Sequence, residues 1–174
     1  LPEVIWAMPR LGTFNLHASL LPQYRGAAPI NWAVINGETE TGVTTFLLNH
    51  EIDKGAILAQ RTEPIRPDDN AGTLYERLMR IGAELVTQTV ERIAAGDLQP
   101  VEQSPAGEET LCPAPKIFRE NCEIDWSETG ERIVNLVRGL APYPAAWTTI
   151  RLDGEEIATI KIYEAHFEPG CGYG

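Results

Sequence analysis

Apolar and polar positions in the first third of the chain alternate in a way that predicts short strands around one helix. Residues 13–18 are typical of a short strand, and "APINWAVING" over 28–37 has the spacing of a helix with proline in its first turn. β-Branched and apolar residues over 42–48 and 56–65 predict two more strands separated by a turn. A turn therefore separates the last two strands, and Asp53 lies in that turn.

The strongest helical pattern begins near Thr73 and should end at Gly96, where glycine commonly stops a helix. Thr73 and Glu76 have the spacing of a capping box. The apolar residues that recur at helical spacing are Leu74, Leu78, Ile81, Leu85, Val90 and Ile93. We expect this amphipathic helix to cover one face of the sheet.

Periodicity is lost over residues 97–125, where several prolines indicate a linker. Beyond it, Ser127 is predicted to cap a helix that ends before Pro142. Residues 146–165 form two strand-like runs around the Asp153-Gly154 pair, a common signal of a short hairpin. One helix and one hairpin bury too little surface to make a complete domain.

Composition narrows the class of protein. The chain has 174 residues, 43% of them apolar and 22% charged, which is typical of a globular protein with one core and part of another. No apolar run approaches the roughly 20 residues that span a bilayer, so no membrane partner is expected. Three cysteines fit neither a zinc site nor a disulfide framework, which favours reduced thiols in a cytoplasm. The net charge of −11 argues against sequence-independent binding to nucleic acid, although a small basic cluster remains compatible with it.

One strand and one turn carry residues suited to acyl or formyl transfer. Asn15 and His17 lie two residues apart on a predicted strand, so their side chains share a face. An amide can stabilise an oxyanion, an imidazole can exchange a proton, and Asp53 could orient the ring. A hydrogen-bonded edge histidine and a turn aspartate have the same pattern, so the spacing alone leaves both interpretations open. His50 and His166 are interpreted as surface residues.

Longer segments decide between these interpretations. The chain resembles the formyltransferase family that uses 10-formyltetrahydrofolate. The resemblance covers nearly the whole chain and is carried by "NLHASLLP" (15–22), "YRGAAPINWAVINGETETGVT" (24–44), "EIDKGAIL" (51–58), "APKIF" (114–118), "IDW" (124–126) and "VRGLAPYPAAWT" (137–148).

The resemblance implies an α/β fold in three parts. Residues 1–98 would be the C-terminal half of a Rossmann-like catalytic domain, 99–125 a linker, and 126–174 the start of an OB-type β-barrel. The family's first βαβ portion has no counterpart here, so the chain is expected to be an internal fragment with an unfinished barrel. An exposed parallel-sheet edge would then make it poorly stable or prone to association.

The resemblance also implies the site. Asn15, His17 and Asp53 would occupy the catalytic positions. The turn that would lie against the folate consists of Ser19, Leu20, Leu21 and Pro22. 10-Formyltetrahydrofolate would be a co-substrate, and the chemistry would need no metal. For Arg25, a structural ion pair and a ligand contact both remain open.

The acceptor implied by the resemblance is the amino group of initiator methionyl-tRNA, in a cytoplasmic enzyme that supports translation initiation. No obligate protein partner is evident. One alternative is a sister enzyme that formylates an amino sugar nucleotide, against which Ala27 argues because that relative tends to carry a larger basic residue there. Glycinamide ribonucleotide formyltransferase is more distant and lacks the C-terminal extension. The other alternative is a folate- or tRNA-binding module without turnover.

Overall fold

The computed structural model describes residues 2–103 and 111–170, and Cys171 and the prediction for 104–110 as part of the linker lie outside these ranges. The helices and strands are, in chain order, α1 Glu3–Trp6, β1 Phe14–His17, α2 Pro29–Ile35, β2 Glu40–Leu47, β3 Ile57–Pro64, α3 Ala71–Ala95, α4 Gly130–Leu140, β4 Ala146–Leu152 and β5 Glu155–Ile162. A short 3₁₀ turn spans Arg119–Cys122. The predicted order of strands and helices is confirmed from β1 onward, and α1 was not predicted.

The first sheet has the order β1–β2–β3, and both strand pairs are antiparallel. The expectation of an exposed parallel-sheet edge concerns strands outside this sheet and stays a prediction. The short segment 48–56 joins β2 and β3, and a short connection without a crossover pairs its strands antiparallel.

Strand β2 forms the centre of the first core. Its residues from Thr41 to Phe46 are all buried, and α3 packs across the sheet through Leu74, Leu78 and Leu85. A hydrogen bond of 3.0 Å joins the buried hydroxyls of Thr45 and Thr89 between strand and helix. The predicted role of the long amphipathic helix is confirmed.

The N-terminus of α3 differs from the prediction. Asn70, not Thr73, is the cap: its Oδ1 accepts the Thr73 N–H at 3.0 Å, and its own N–H donates to Thr73 Oγ1 at 3.1 Å. Asn ranks above Thr as a cap, so the helix begins earlier and Glu76 is not part of the capping box. The helix ends at Gly96, as predicted, in a left-handed conformation.

A buried ion pair ties the end of β3 to α3. The Arg77 guanidinium binds both carboxylate oxygens of Asp69 at 2.6 Å and one oxygen of Glu63 at 2.6 Å. Hydrogen bonding to Arg77 lowers the pKa of Asp69 to about 2. Asp69 is 4% exposed, so the pair is shielded from water.

The described parts of the predicted linker pack against the first sheet. Val101 pairs with Ile57 through two backbone hydrogen bonds of 2.7 and 2.8 Å. Ala114 is fully buried and pairs with Gly26 in an isolated bridge. These segments behave as a strap across the sheet and not as a free spacer.

In the C-terminal part, α4 packs against α2, and β4 and β5 form an antiparallel hairpin around Asp153-Gly154, as predicted. The cap of α4 is Thr129, whose hydroxyl accepts the Arg132 N–H, and not Ser127, whose hydroxyl and N–H both bind Asp125. The sheet described over 111–170 has two strands, so the expected OB-type barrel is not observed in these residues. Among the described helices, none has the length and apolar character that crossing a membrane requires.

Candidate active site

His17 ends strand β1 and is 7% exposed. Its Nε2 lies 2.8 Å from the backbone carbonyl oxygen of Tyr24. A carbonyl only accepts hydrogen bonds, so the geometry assigns a proton to Nε2. Nδ1 is the nitrogen left to face the rest of the site.

Tyr24 holds that carbonyl in place. Its backbone has a φ of 58°, in the left-handed region, and its ring is buried. The phenol donates to Glu38 Oε1 at 2.6 Å and accepts from Asn36 Nδ2 at 3.2 Å. Burial and the hydrogen bond to Glu38 raise the pKa of Tyr24, so the phenol stays neutral. The ring therefore anchors the loop that orients His17.

Asp53 faces the free nitrogen of His17. Its Oδ2 lies 3.8 Å from His17 Nδ1 and accepts the Gly26 N–H at 3.0 Å. A separation of 3.8 Å is within ion-pair range but too long for a direct hydrogen bond. The carboxylate can thus stabilise positive charge on the ring without being bound tightly to it.

The Gln103 side chain binds the backbone of the turn that contains Asp53. Gln103 Nε2 donates to the carbonyl oxygens of Asp53 at 2.9 Å and of Gly55 at 2.8 Å. Gln103 Oε1 accepts from Arg25 Nε at 3.1 Å and Nη2 at 2.7 Å. In this structure Arg25 therefore contacts the linker beside the Asp53 turn.

Asn15 lies two residues before His17 on β1. It is exposed on β1, and its Oδ1 accepts the adjacent Leu16 N–H at 2.9 Å. Of the three residues expected at catalytic positions, the structure brings His17 and Asp53 together. The recorded hydrogen bond of Asn15 is local, which leaves its amide on the exposed end of the same strand face.

The turn expected to lie against folate is largely engaged within the protein. Ser19 is fully buried and donates to the Gln23 carbonyl at 2.6 Å, and Leu21 is 3% exposed. Thr44 and Gln60 bind the backbone of this turn. Leu20 and Pro22 are half-buried, and they offer the turn's remaining apolar surface.

Sequence reasoning missed three groups at this site: the Tyr24 carbonyl, the Gly26 N–H and the Gln103 side chain. A backbone group has no signature in the side-chain pattern. Gln103 lies 50 residues from Asp53 in a segment without periodicity, so no local signal could have linked them.

The other two histidines lie on the surface. His50 is 3.5 Å from Glu3 and His166 is 3.1 Å from Glu164, with exposed side chains in both pairs. This confirms their interpretation as surface residues. Across residues 2–103 and 111–170, no group of three or more His, Cys, Asp or Glu side chains is placed to hold a metal ion.

Two family models match the chain. Residues 1–90 match the family described as formyl transferase, and residues 116–173 match the formyl transferase C-terminal domain. The chain belongs to the formyl transferase family. The sequence resemblance to this family is thereby confirmed.

Several methionyl-tRNA formyltransferases are similar to this chain along almost its whole length. A methionyl-tRNA formyltransferase from Parabacteroides distasonis is 59% identical over 172 residues, which cover 97% of this chain and 53% of that protein. The chain spans about half the length of the curated relatives it matches.

Solved structures of other proteins share the fold. The N-formyltransferase from Helicobacter canadensis, in complex with folinic acid and dTDP-3-aminofucose, is 27% identical with a TM-score of 0.69, over 79% of this chain and 50% of that one. HypX from Aquifex aeolicus, in complex with tetrahydrofolic acid, is 25% identical with a TM-score of 0.72, over 89% of this chain and 26% of that one.

Proposed function

We propose that this chain carries the His17–Asp53 site of an enzyme that transfers the formyl group of 10-formyltetrahydrofolate to the amino group of initiator methionyl-tRNA. The observation that carries the proposal is the His17–Asp53 pair, a buried histidine facing a half-buried carboxylate, in a chain 59% identical to a methionyl-tRNA formyltransferase. Such an enzyme would act in the cytoplasm, where translation begins, and a pure binding module would have no need for this pair.

The organisation into domains is part of the proposal. Residues 1–98 would belong to the catalytic domain and 126–174 to a second domain, with 99–125 as the linker. The family matches over 1–90 and 116–173 support two domains, and the second match begins inside the proposed linker.

The co-substrate would supply a formyl group whose carbon bonds to the acceptor nitrogen as its bond to the folate nitrogen breaks, and the amine proton ends on that folate nitrogen. His17 would exchange the proton at Nδ1, because Tyr24 occupies Nε2. Asp53 would stabilise the imidazolium, and the Asn15 amide would donate to the formyl oxygen as it gains negative charge.

The folate would meet the chain at the turn over 19–22. Ser19 and Leu21 are buried and their polar groups are engaged, so we assign contact with the co-substrate to the half-buried Leu20 and Pro22. An apolar turn surface beside the histidine loop fits one face of a flat heterocycle.

One cleft contains two cationic side chains although the chain as a whole is acidic. A cleft of about 590 Å³ is lined by Arg119, Lys161, Tyr143 and Trp147 among others. Arg119 lies over the Trp147 ring at 5.2 Å. Cations beside aromatic rings are suited to nucleotides, so this cleft supports a tRNA acceptor despite a net charge of −11.

An amino sugar nucleotide is the second candidate acceptor. The Helicobacter canadensis neighbour was solved with dTDP-3-aminofucose, and its fold matches this chain with a TM-score of 0.69. Its identity of 27% is well below the 59% of the methionyl-tRNA formyltransferase relative. The tRNA acceptor is therefore the better supported.

The proposal is tested in the intact protein that contains this chain. The protein is incubated with 10-formyltetrahydrofolate and either methionyl-tRNA or an amino sugar nucleotide, and formylated product is measured. We expect product with the tRNA alone and a loss of about a hundredfold in turnover for His17→Ala and Asn15→Ala.

His50→Ala is the matched control, since this histidine lies on the surface and should leave turnover unchanged. Formylation of the sugar nucleotide alone would mean that the proposed acceptor is wrong and that the proposed catalytic site is right. Absence of transfer to either acceptor would overturn the proposed activity.

A further inference from the structure

Gln103 occupies an unusual position for a linker residue. Its two amide N–H groups bind the carbonyl oxygens of Asp53 and Gly55 at 2.9 and 2.8 Å. One side chain thus fixes the backbone on both sides of Lys54, within the turn that carries the proposed catalytic carboxylate. No other side-chain donor to these two carbonyls is recorded among the described residues.

The amide oxygen of Gln103 contacts Arg25, in the loop that orients His17. Gln103 Oε1 accepts from both Arg25 Nε and Arg25 Nη2. The next residue, Gly26, donates its N–H to Asp53 Oδ2. Gln103 therefore bridges the same two segments that Gly26 and Asp53 join directly, and the Arg25 charge polarises the amide toward stronger donation.

The Asp53 turn needs such support. Asp53 has a φ of 55°, which a residue with a side chain seldom adopts, and its neighbour Ile52 is 80% exposed. Packing on the outer side of the turn is therefore sparse. Hydrogen bonds from the linker side restrain the backbone that aims the carboxylate at His17.

We infer that Gln103 is a positioning residue for Asp53, so that the linker forms part of the active site. This inference rests on the proposed function. Glutamine suits the position because its amide offers two donors and one acceptor. Glutamate would keep the acceptor for Arg25 but set an oxygen against two carbonyl oxygens, and methionine would keep the length without either function.

The test measures kcat and KM of the intact protein for Gln103→Glu and Gln103→Met, each alone and combined with Asp53→Ala. Because Gln103 is assigned no contact with substrate, we expect kcat to fall about tenfold or more while both KM values stay within about twofold. In the Asp53→Ala background the same changes should have almost no further effect, since they act through Asp53.

Glu102→Gln, at the exposed neighbouring residue, is the matched control and should leave kcat unchanged. Equal losses with and without Asp53, or a kcat within about twofold of wild type in both variants, would overturn the inference. The two hypotheses fail separately: absence of formyl transfer by the wild-type protein contradicts the proposed function, whereas a strong Asp53→Ala effect with neutral Gln103 variants contradicts the positioning role alone.

Discussion

The two β-hairpins of this chain turn on the same residue type in the same backbone conformation. Asp53 between β2 and β3 has a φ of 55°, and Asp153 between β4 and β5 has a φ of 52°. Their surroundings differ. Asp53 faces a buried histidine and is held by Gly26 and Gln103, whereas Asp153 is exposed at the tip of its hairpin.

The strands that the two turns connect also differ in burial. In β2 every position from Thr41 to Phe46 is buried, whereas in β5 the positions from Glu155 to Lys161 are all exposed. Local sequence is therefore enough to shape an aspartate turn. Contacts from distant segments decide whether that aspartate can serve a site.

The largest expected difference between the hairpins is in activity. Asp53→Ala should lower turnover of the intact protein by about a hundredfold or more, because the imidazolium of His17 loses its carboxylate. Asp153→Ala should leave turnover within about twofold, since this residue lies in an exposed turn. Steady-state formyl transfer by both variants, beside wild type, measures the difference.

Thermal unfolding of both variants is the control for folding. Comparable melting with unequal turnover would support the distinction between the two turns. Similar turnover in both variants would mean that proximity to His17 gives Asp53 no special role.

The same contrast explains what the sequence could predict. The Asp153-Gly154 hairpin and the stop at Gly96 were predicted because each depends on residues adjacent in the chain. The N-caps of α3 and α4 were misplaced because several capping residues stand close together and tertiary contacts choose among them.

For the site, the residue types at positions 15, 17 and 53 were found through family resemblance, while their spacing alone left a structural role open. The anchoring of His17 by the Tyr24 carbonyl could not be predicted, because every residue carries a carbonyl. The bridge through Gln103 depends on the path of the linker. A pattern of apolar residues contains no information about that path.

The second difference concerns why each turn contains glycine. A Cβ on Gly55 would clash with the Leu47 carbonyl oxygen, whereas Gly154 has a φ of 87° and open space around it. Gly55→Ala should destabilise the protein by about 3 kcal/mol through forced separation of β2 and β3. Gly154→Ala should cost about 1 kcal/mol through backbone strain alone.

Urea unfolding of both alanine variants measures these costs. Gly55→Ala should also lower turnover, because the displaced turn carries Asp53. An equal cost at the two glycines would show that the β2–β3 turn relaxes as freely as the exposed one.

The smallest expected difference lies in the ion pairs that follow the two turns. The buried Asp69–Arg77 pair supports the first hairpin, and the exposed Arg151–Glu156 pair crosses the second. Asp69→Asn should destabilise the protein by about 2 kcal/mol at pH 7, and Glu156→Gln by less than about 0.5 kcal/mol. Urea unfolding at pH 7 measures both.

The pH dependence gives the sharper test of this pair. Hydrogen bonding to Arg77 lowers the pKa of Asp69 from 3.8 to about 2 in the folded protein, so the unfolded chain takes up the proton first as the pH falls. The stabilisation is therefore complete above about pH 4 and is lost between about pH 4 and pH 2. Wild type and Asp69→Asn should converge in unfolding free energy near pH 2, because protonated Asp69 no longer attracts Arg77 as a charge. A gap that stayed constant over this interval would mean that Asp69 acts through its neutral hydrogen bonds, and the contrast between buried and exposed ion pairs would then lose its electrostatic basis.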